Sequence, residues 1–336
     1  MSDVIDVHTH FLPESMIRTL RAGQTWHGWR TDRGPNGTER IASDGGIAPF
    51  PLDMADEEWP DRIRSRRDAG IDVQAIMLPT FLWSYHLPGL EAAAFCRDVN
   101  TETADLRDRY PDAIVPMGVL PLQNADRAIA EVEFAVRELG IRTFSVGTHV
   151  QGRNLDDPDV VRVLEAVFEA GAGVMVHASY FNRAGEDRMQ RYDFGNSIGV
   201  PLEAGLSMMS IIYSGILDRY PDARIGSCHG GGWASFGVGR LWLRYTQGRD
   251  GGHLTASPAE YLGKLFYDCL LHDELSLGLL IQRVGASQVM IGTDHPYKGD
   301  IPGGAVRWIE NMASLDDHQK SAILMGNAAR FLGRAT

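Results

Sequence analysis

Lysine is nearly missing from this chain. Of its 32 basic residues only Lys264, Lys298 and Lys320 are lysines, and the rest are arginines. Cysteine is also scarce. Cys96, Cys228 and Cys269 are far apart and form no C-x-x-C pair, which excludes a zinc knuckle and a disulfide framework and fits a reducing cytoplasm. No apolar run reaches the ~18–20 residues that span a bilayer. The first residues lack the basic stretch followed by an apolar one that marks a secretory signal. Positive charge is in deficit, with a formal net charge of -12, so neither nucleic acid nor an anionic membrane is expected as a partner. A soluble, cytoplasmic protein is the expectation.

The 336 residues are 44% hydrophobic. That is enough for one large core, and residues 1–336 are read as a single domain, since α/β barrels of this size are common. Eight short runs, rich in apolar and β-branched residues, recur at 4–10, 73–79, 114–121, 143–149, 174–179, 224–229, 265–271 and 289–294. Between most of them the pattern changes to a helical one. In 128–139, Ala128, Val132, Ala135, Val136 and Leu139 fall on one face, and 90–109, 158–170 and 317–332 also read as helices. Buried strands alternating with amphipathic helices make a parallel sheet. Eight of them close into a (β/α)8 barrel of the TIM type. An open doubly wound sheet would not explain where the polar residues fall.

They fall at strand ends. The first run ends in Asp6-Val7-His8-Thr9-His10, and the fourth ends at His149. The fifth carries His177, the sixth ends at His229, and the eighth ends at Asp294. In a barrel those ends converge on the mouth that holds the active site. His8 and His10, two apart on a strand, point to the same face and can share one divalent ion. His177 and Asp294 add a nitrogen and an oxygen. Three imidazoles and one carboxylate leave a coordination position open, as catalytic sites do. The donor set suits zinc, manganese or iron, and no organic cofactor is expected. His229, followed by three glycines, is either a further ligand or a general base taking a proton from water on the ion. Asp294 can also accept a proton.

Two long connections lack clear regular structure in the sequence. One is 15–59 after the first strand, within an 11–60 segment read as an insertion forming a lid. The other is 180–199. Connections of this length usually form lids or binding loops, and Trp26, Trp29, Tyr180 and Phe181 supply aromatic surface. Trp83 and Tyr85 follow the second strand and either line the pocket or pack beneath the lid. His272 and Asp273 follow the seventh and either face the mouth or cap a loop.

Together, the motifs at 6–10, His177, Cys228-His229-Gly230-Gly231-Gly232 and Gly292-Thr293-Asp294 resemble the amidohydrolase superfamily. The stretches 70–75, 154–158, 199–203, 266–268 and 326–330 sharpen the resemblance towards the branch typified by 2-amino-3-carboxymuconate 6-semialdehyde decarboxylase. The resemblance spans essentially the whole chain. It implies a zinc-type ion on His8, His10, His177 and Asp294, with His229 as acid/base. Strand 4 offers Thr148-His149 where two-ion relatives carry a carboxylated lysine, so one ion is implied. It also implies a homodimer, in which Arg240 reaches the neighbouring subunit's site and binds a substrate carboxylate. Arg40 is the candidate for a second carboxylate-binding arginine. Tyr180 or Phe181 takes the place of a tryptophan wall. The implied activity is non-oxidative removal of a carboxylate from an aromatic or unsaturated, muconate-type acid. The alternatives on the same site are a metal-dependent lactone or amide hydrolase and a hydratase. A non-catalytic binding protein would require lost ligands, and none of the five positions is lost.

Overall fold

The computed structural model describes residues 3–34, 37–51, 57–249, 252–297 and 301–334. Its centre is a set of eight parallel strands: β1 (Ile5–His10), β2 (Val73–Met77), β3 (Ile114–Pro116), β4 (Thr143–Gly147), β5 (Gly173–His177), β6 (Ile225–Ser227), β7 (Phe266–Asp268) and β8 (Val289–Met290). Hydrogen bonding runs β1-β2-β3 in one group and β4 through β8 in another. Parallel bridges stitch both seams. Gly118 pairs with Phe144 beside β3 and β4, and Asp6 pairs with Ile291 beside β1 and β8. The Gly118 N–H donates to Thr143 O at 2.9 Å, and the Val7 N–H donates to Ile291 O at 2.9 Å. The sheet is therefore the expected (β/α)8 barrel.

The strands read as unbroken apolar runs because both faces are covered. All six residues of β1 and all five of β2, β4 and β5 are buried. The helices between them start where the sequence supplies a cap. Asn124 accepts the Arg127 N–H ahead of helix Ala125–Arg137, and Asp157 accepts the Asp159 N–H ahead of helix Pro158–Glu169. Asp273 does the same for helix Glu274–Val284 by accepting the Ser276 N–H at 2.7 Å. Each such cap contributes about 1 kcal/mol. Asp273 is thus a helix cap, the second of its two readings. Among the described residues, no helix is long and apolar enough to cross a membrane.

The expectation of an irregular 15–59 segment is corrected. A helix, Glu14–Arg21, buries Met16 and Leu20 one turn apart. A three-stranded antiparallel sheet follows, made of Arg30–Arg33, Glu39–Ser43 and Gly46–Pro51. The sequences RTDR and ERIAS lack the apolar alternation that announces a half-buried strand. Local antiparallel pairing, such as Thr31 opposite Ile41, holds them instead. Of the 11–60 insertion, residues 35–36 and 52–56 lie outside the described residues.

Candidate metal centre and active site

Three histidines and one aspartate meet at the C-terminal mouth of the barrel. Candidate ligand atoms of His8, His10, His177 and Asp294 all lie within 4.8 Å of one another. His8 and His10 are one pleat apart on β1, and their rings meet edge to face at 5.2 Å. His177 ends β5, 4.8 Å from the His8 ring. Asp294 follows β8 with a φ of 60°. This left-handed conformation costs a non-glycine residue about 1–2 kcal/mol. Three hydrogen bonds hold the turn that carries it. The Asp294 N–H donates to His8 O at 2.8 Å. The Thr293 hydroxyl and N–H donate to the buried Asp6 carboxylate at 2.6 and 3.2 Å. Burial pushes the Asp6 carboxyl up to about 6, with Thr293 and the His8 N–H opposing it.

The hydrogen bonds fix which nitrogen of each ring is free. His8 Nδ1 lies 2.6 Å from the Asp268 carboxylate, His10 Nδ1 lies 3.1 Å from Leu78 O, and His177 Nδ1 lies 3.0 Å from Ala178 O. All three partners are oxygen acceptors, so each Nδ1 carries the proton and each Nε2 presents a lone pair. His8 Nε2 is buried without a hydrogen-bond partner. It stands 3.2 Å from Asp294 Oδ1, and His10 Nε2 stands 2.9 Å from the same oxygen. With all three rings neutral, three lone pairs and a carboxylate converge and repel one another. A cation at their centre relieves that repulsion, and the donor set fits one divalent ion.

Asp268, at the end of β7, was not singled out in the sequence. It is fully buried. Besides orienting His8, it accepts the backbone N–H groups of His229 at 2.9 Å, Gly230 at 2.8 Å and Leu270 at 3.1 Å. These donors and the His8 ring hold its carboxyl below the usual range against the opposing effect of burial, which is the largest single influence. Its hydrogen-bonded partners sit 260 positions away in β1 and 39 in the β6 loop, so spacing could not reveal it. Its one sequence signal was the Phe266-Tyr267-Asp268 stretch.

His229 lies beside the four rather than among them. Its Nε2 is 3.3 Å from His177 Nε2. Burial lowers it to about 4, so the ring is neutral at pH 7 and able to accept a proton. Its φ is 54°, and the glycines behind it explain how the loop passes. A Cβ on Gly232 would lie 1.9 Å from the Pro201 carbonyl oxygen, at a φ of +58°.

A family model described as amidohydrolase matches residues 5–334 of the sequence. The chain belongs to the amidohydrolase family. The 2-amino-3-carboxymuconate-6-semialdehyde decarboxylase of Dictyostelium discoideum is 30% identical over 338 residues, which cover 98% of this amidohydrolase and 91% of the relative. Among solved structures, the 5-carboxyvanillate decarboxylase of Sphingomonas paucimobilis superposes with a TM-score of 0.82 at 20% identity, over 100% of both chains. A dihydroxybenzoic acid decarboxylase from Polaromonas, solved with bound manganese and the inhibitor 2-nitroresorcinol, gives 0.78 at 18% identity, covering 100% of this chain and 98% of the other. At these identities the two structures speak for the fold.

A cavity of about 630 Å³ opens over the amidohydrolase's histidine cluster, lined by His10, His177, His229 and Asp294 together with Tyr180, Arg183 and Tyr297. Tyr180 lines the cavity itself. Phe181 is one step removed. It lines a neighbouring cavity with Tyr85, packs edge-on against Tyr180 at 4.8 Å and presses on Gly46 of the insertion. The buried Tyr85 hydroxyl accepts the Gly147 N–H at 3.1 Å. Arg40 sits in the antiparallel sheet, paired with Asp32 at 2.5 Å, and does not line the histidine cavity. Arg240 is exposed on helix Ala234–Thr246, outside its own chain's cavity. Arg183 and Tyr297 went unnoticed in the sequence. The Arg183 guanidinium is half-buried, donates to the Gly195 carbonyl and lies 3.6 Å from the Glu186 carboxylate, with its Nε unpartnered, and the Tyr297 ring meets His10 edge to face at 5.3 Å.

Proposed function

We propose that this amidohydrolase is a metal-dependent decarboxylase that removes carbon dioxide, without oxidation, from an aromatic or unsaturated carboxylic acid. The observation that carries the reading is the convergence of three imidazole lone pairs and the Asp294 carboxylate beside the neutral ring of His229. The decarboxylase names of the relatives support it. We read His8, His10, His177 and Asp294 as the ligands of one ion, zinc first, with manganese or iron as alternates. A divalent ion held there supplies a Lewis acid for a heteroatom next to the departing carboxylate. The chain's own groups do the rest. His229 takes up a proton from the substrate's hydroxyl or from water and passes it to the carbon that loses the carboxylate. Tyr180 and Tyr297 wall the substrate, and Arg183 offers a cation to its acidic groups.

The protein is further read as a single barrel domain, cytoplasmic, and acting as a homodimer. Helix Ala234–Thr246 supports the dimer, because it leaves Phe236 80% and Leu243 51% exposed next to Arg240. A patch of this kind marks an association surface, and Arg240 would there reach the second copy's site. The insertion is read as a lid on the strength of its contacts. Trp29 Nε1–H donates to the Ser84 hydroxyl at 3.1 Å, and Gly46 packs on Phe181.

The test is a panel of ortho-hydroxy and ortho-amino aromatic acids and muconate-type acids, incubated with zinc- or manganese-loaded protein. A product lighter by carbon dioxide supports the reading. Turnover confined to lactones or amides, or addition of water to a double bond, replaces it with the hydrolase or hydratase alternative.

A further inference from the structure

Two stretches singled out in the sequence meet in the structure outside the set of metal ligands. One is the end of β4, where Thr148 precedes His149. The other is 199–203, which closes on Glu203. Glu203 lies in the first turn of helix Val200–Tyr213 and is 2% exposed. Each of its carboxylate oxygens takes a donor. The Thr148 hydroxyl donates to Oε2 at 2.6 Å, and the Ala184 N–H donates to Oε1 at 2.6 Å. Thr148 in turn accepts the Ser179 N–H at 3.1 Å. A carboxylate buried this far is costly unless its oxygens are hydrogen-bonded, and both bonds here go to the loops after β4 and β5.

These bonds fix both ends of segment 179–184. Thr148 holds its start at Ser179, and Glu203 holds its end at Ala184. Between them the backbone turns through a left-handed Asn182, φ 60°, and it leaves through Gly185, φ 72°. Left-handed non-glycine residues persist where the surroundings hold them. Inside the segment are Tyr180 and Arg183, which line the cavity over the metal centre. The Arg183 guanidinium lies 5.4 Å from the centre of the Tyr180 ring and donates to Gly195 O. The placement of both side chains therefore depends on one short stretch of backbone. Glu203 itself does not line the cavity.

We infer that Glu203 is a positioning residue: it clamps segment 179–184 so that Arg183 and Tyr180 stand over the metal cavity, where the acid binds. This rests on the reading of the metal cavity as the acid-binding site. The clamp depends on reach rather than on charge. Glutamine has the same length. Its oxygen can accept the Ala184 N–H, and its NH2 can donate to the Thr148 hydroxyl, which has a lone pair besides the one that accepts Ser179. Aspartate keeps the charge but is one carbon shorter, and it cannot serve Thr148 and Ala184 together.

Calorimetry of 2-hydroxybenzoate binding to the zinc-loaded full chain tests this. Glu203→Asp should weaken the acid about tenfold, the loss of one charge-assisted hydrogen bond from a displaced Arg183. Glu203→Gln should stay within about threefold of wild type, since both contacts survive. Glu203 bonds to no group that orients a metal ligand, so zinc affinity by chelator competition should stay within about twofold in both chains. Arg183→Met, alone and combined with Glu203→Asp, shows whether the two residues act through one another. The double variant should bind about as weakly as Arg183→Met alone, because the contact that Glu203→Asp displaces is already gone. If the Glu203→Asp chain fails to fold, Glu203→Ala replaces it with the same expectation. Unchanged acid binding in Glu203→Asp overturns the inference and leaves the metal cavity as the acid site. So does a loss in Glu203→Gln as large as in Glu203→Asp, an additive loss with Arg183→Met, or a parallel fall in zinc affinity. If the wild type binds neither 2-hydroxybenzoate nor any other acid of the panel, the acid-site reading fails and this inference with it. Binding in the expected order with no release of carbon dioxide sustains the clamp and removes only the decarboxylase chemistry.

Discussion

Replacing Asp268 with asparagine should weaken the metal centre without touching a ligand. The Asp268 carboxylate takes four hydrogen bonds, from His8 Nδ1 and from the N–H groups of His229, Gly230 and Leu270. An asparagine amide has one oxygen for these donors, and its NH2 must face at least one of them. If the NH2 faces His8, Nδ1 becomes the acceptor and the proton moves to Nε2, removing the lone pair from the ion. If it faces the backbone, a buried N–H loses its acceptor and the His229 loop shifts. Loss of such an orienting carboxylate costs about 10–100-fold in metal affinity, or about 1.4–2.7 kcal/mol. At an ion concentration about 1,000 times the wild-type Kd, binding stabilises the fold by about 4.1 kcal/mol, and this gain should drop to about 1.4–2.7 kcal/mol. For a chain of this length that lowers the melting temperature of the loaded protein by roughly 2–4 °C.

The assay pairs chelator competition for zinc affinity with melting curves of loaded and stripped protein. A purely structural role would lower both curves together and leave the gain from metal intact. Zinc affinity within twofold of wild type, with an unchanged gain, would refute the argument that His8 is set by Asp268.

Three further outcomes follow from the same geometry. Gly232→Ala places a methyl 1.9 Å from Pro201 O, at φ 58° and ψ −129°, a combination that a residue with a Cβ rarely adopts, so the chain should lose at least about 3 kcal/mol of stability; a denaturant midpoint close to wild type would contradict this. All three cysteines are buried. Burial pushes each thiol up, Cys228 to about 12 despite the opposing pull of His8. None should react with a thiol reagent in the native state at pH 8, and all three should react in urea; rapid labelling of the native chain would count against the packing. If Arg240 serves the second copy's site, an equal mixture of inactive Arg240→Ala and His229→Ala chains should regain about a quarter of wild-type activity through mixed dimers, whereas no recovery after subunit exchange would place Arg240 elsewhere.

The sequence disclosed the barrel because strands buried on both faces leave a strong signal. All eight apolar runs overlap a barrel strand, and His8, His10, His177 and Asp294 were legible as a set because each sits at a strand end. The insertion was opaque for the opposite reason. Arg30–Arg33 is polar throughout, Glu39–Ser43 has only Ile41 and Ala42 as apolar residues, and the two strands depend on each other for pairing. Asp268 and Arg183 act through partners that no spacing rule connects. Tyr85 and Phe181 were picked out as aromatic, but the sequence could not assign them to the second cavity rather than the first. His149 shows the limit of the strand-end argument. It occupies the expected position, yet its Nδ1 accepts the Gly152 N–H and it is not among the clustered candidate ligands.

The most direct test of the central claim follows the carboxyl carbon. An acid that the panel shows to be consumed is labelled with carbon-13 at its carboxylate and given to metal-loaded protein, stripped protein and the His229→Ala variant. The account requires one labelled carbon dioxide for each acid consumed, with about one divalent ion bound per chain. Release should stop on stripping and fall at least about a hundredfold in His229→Ala. Label retained in an acid product, or release that survives removal of the ion, would contradict it.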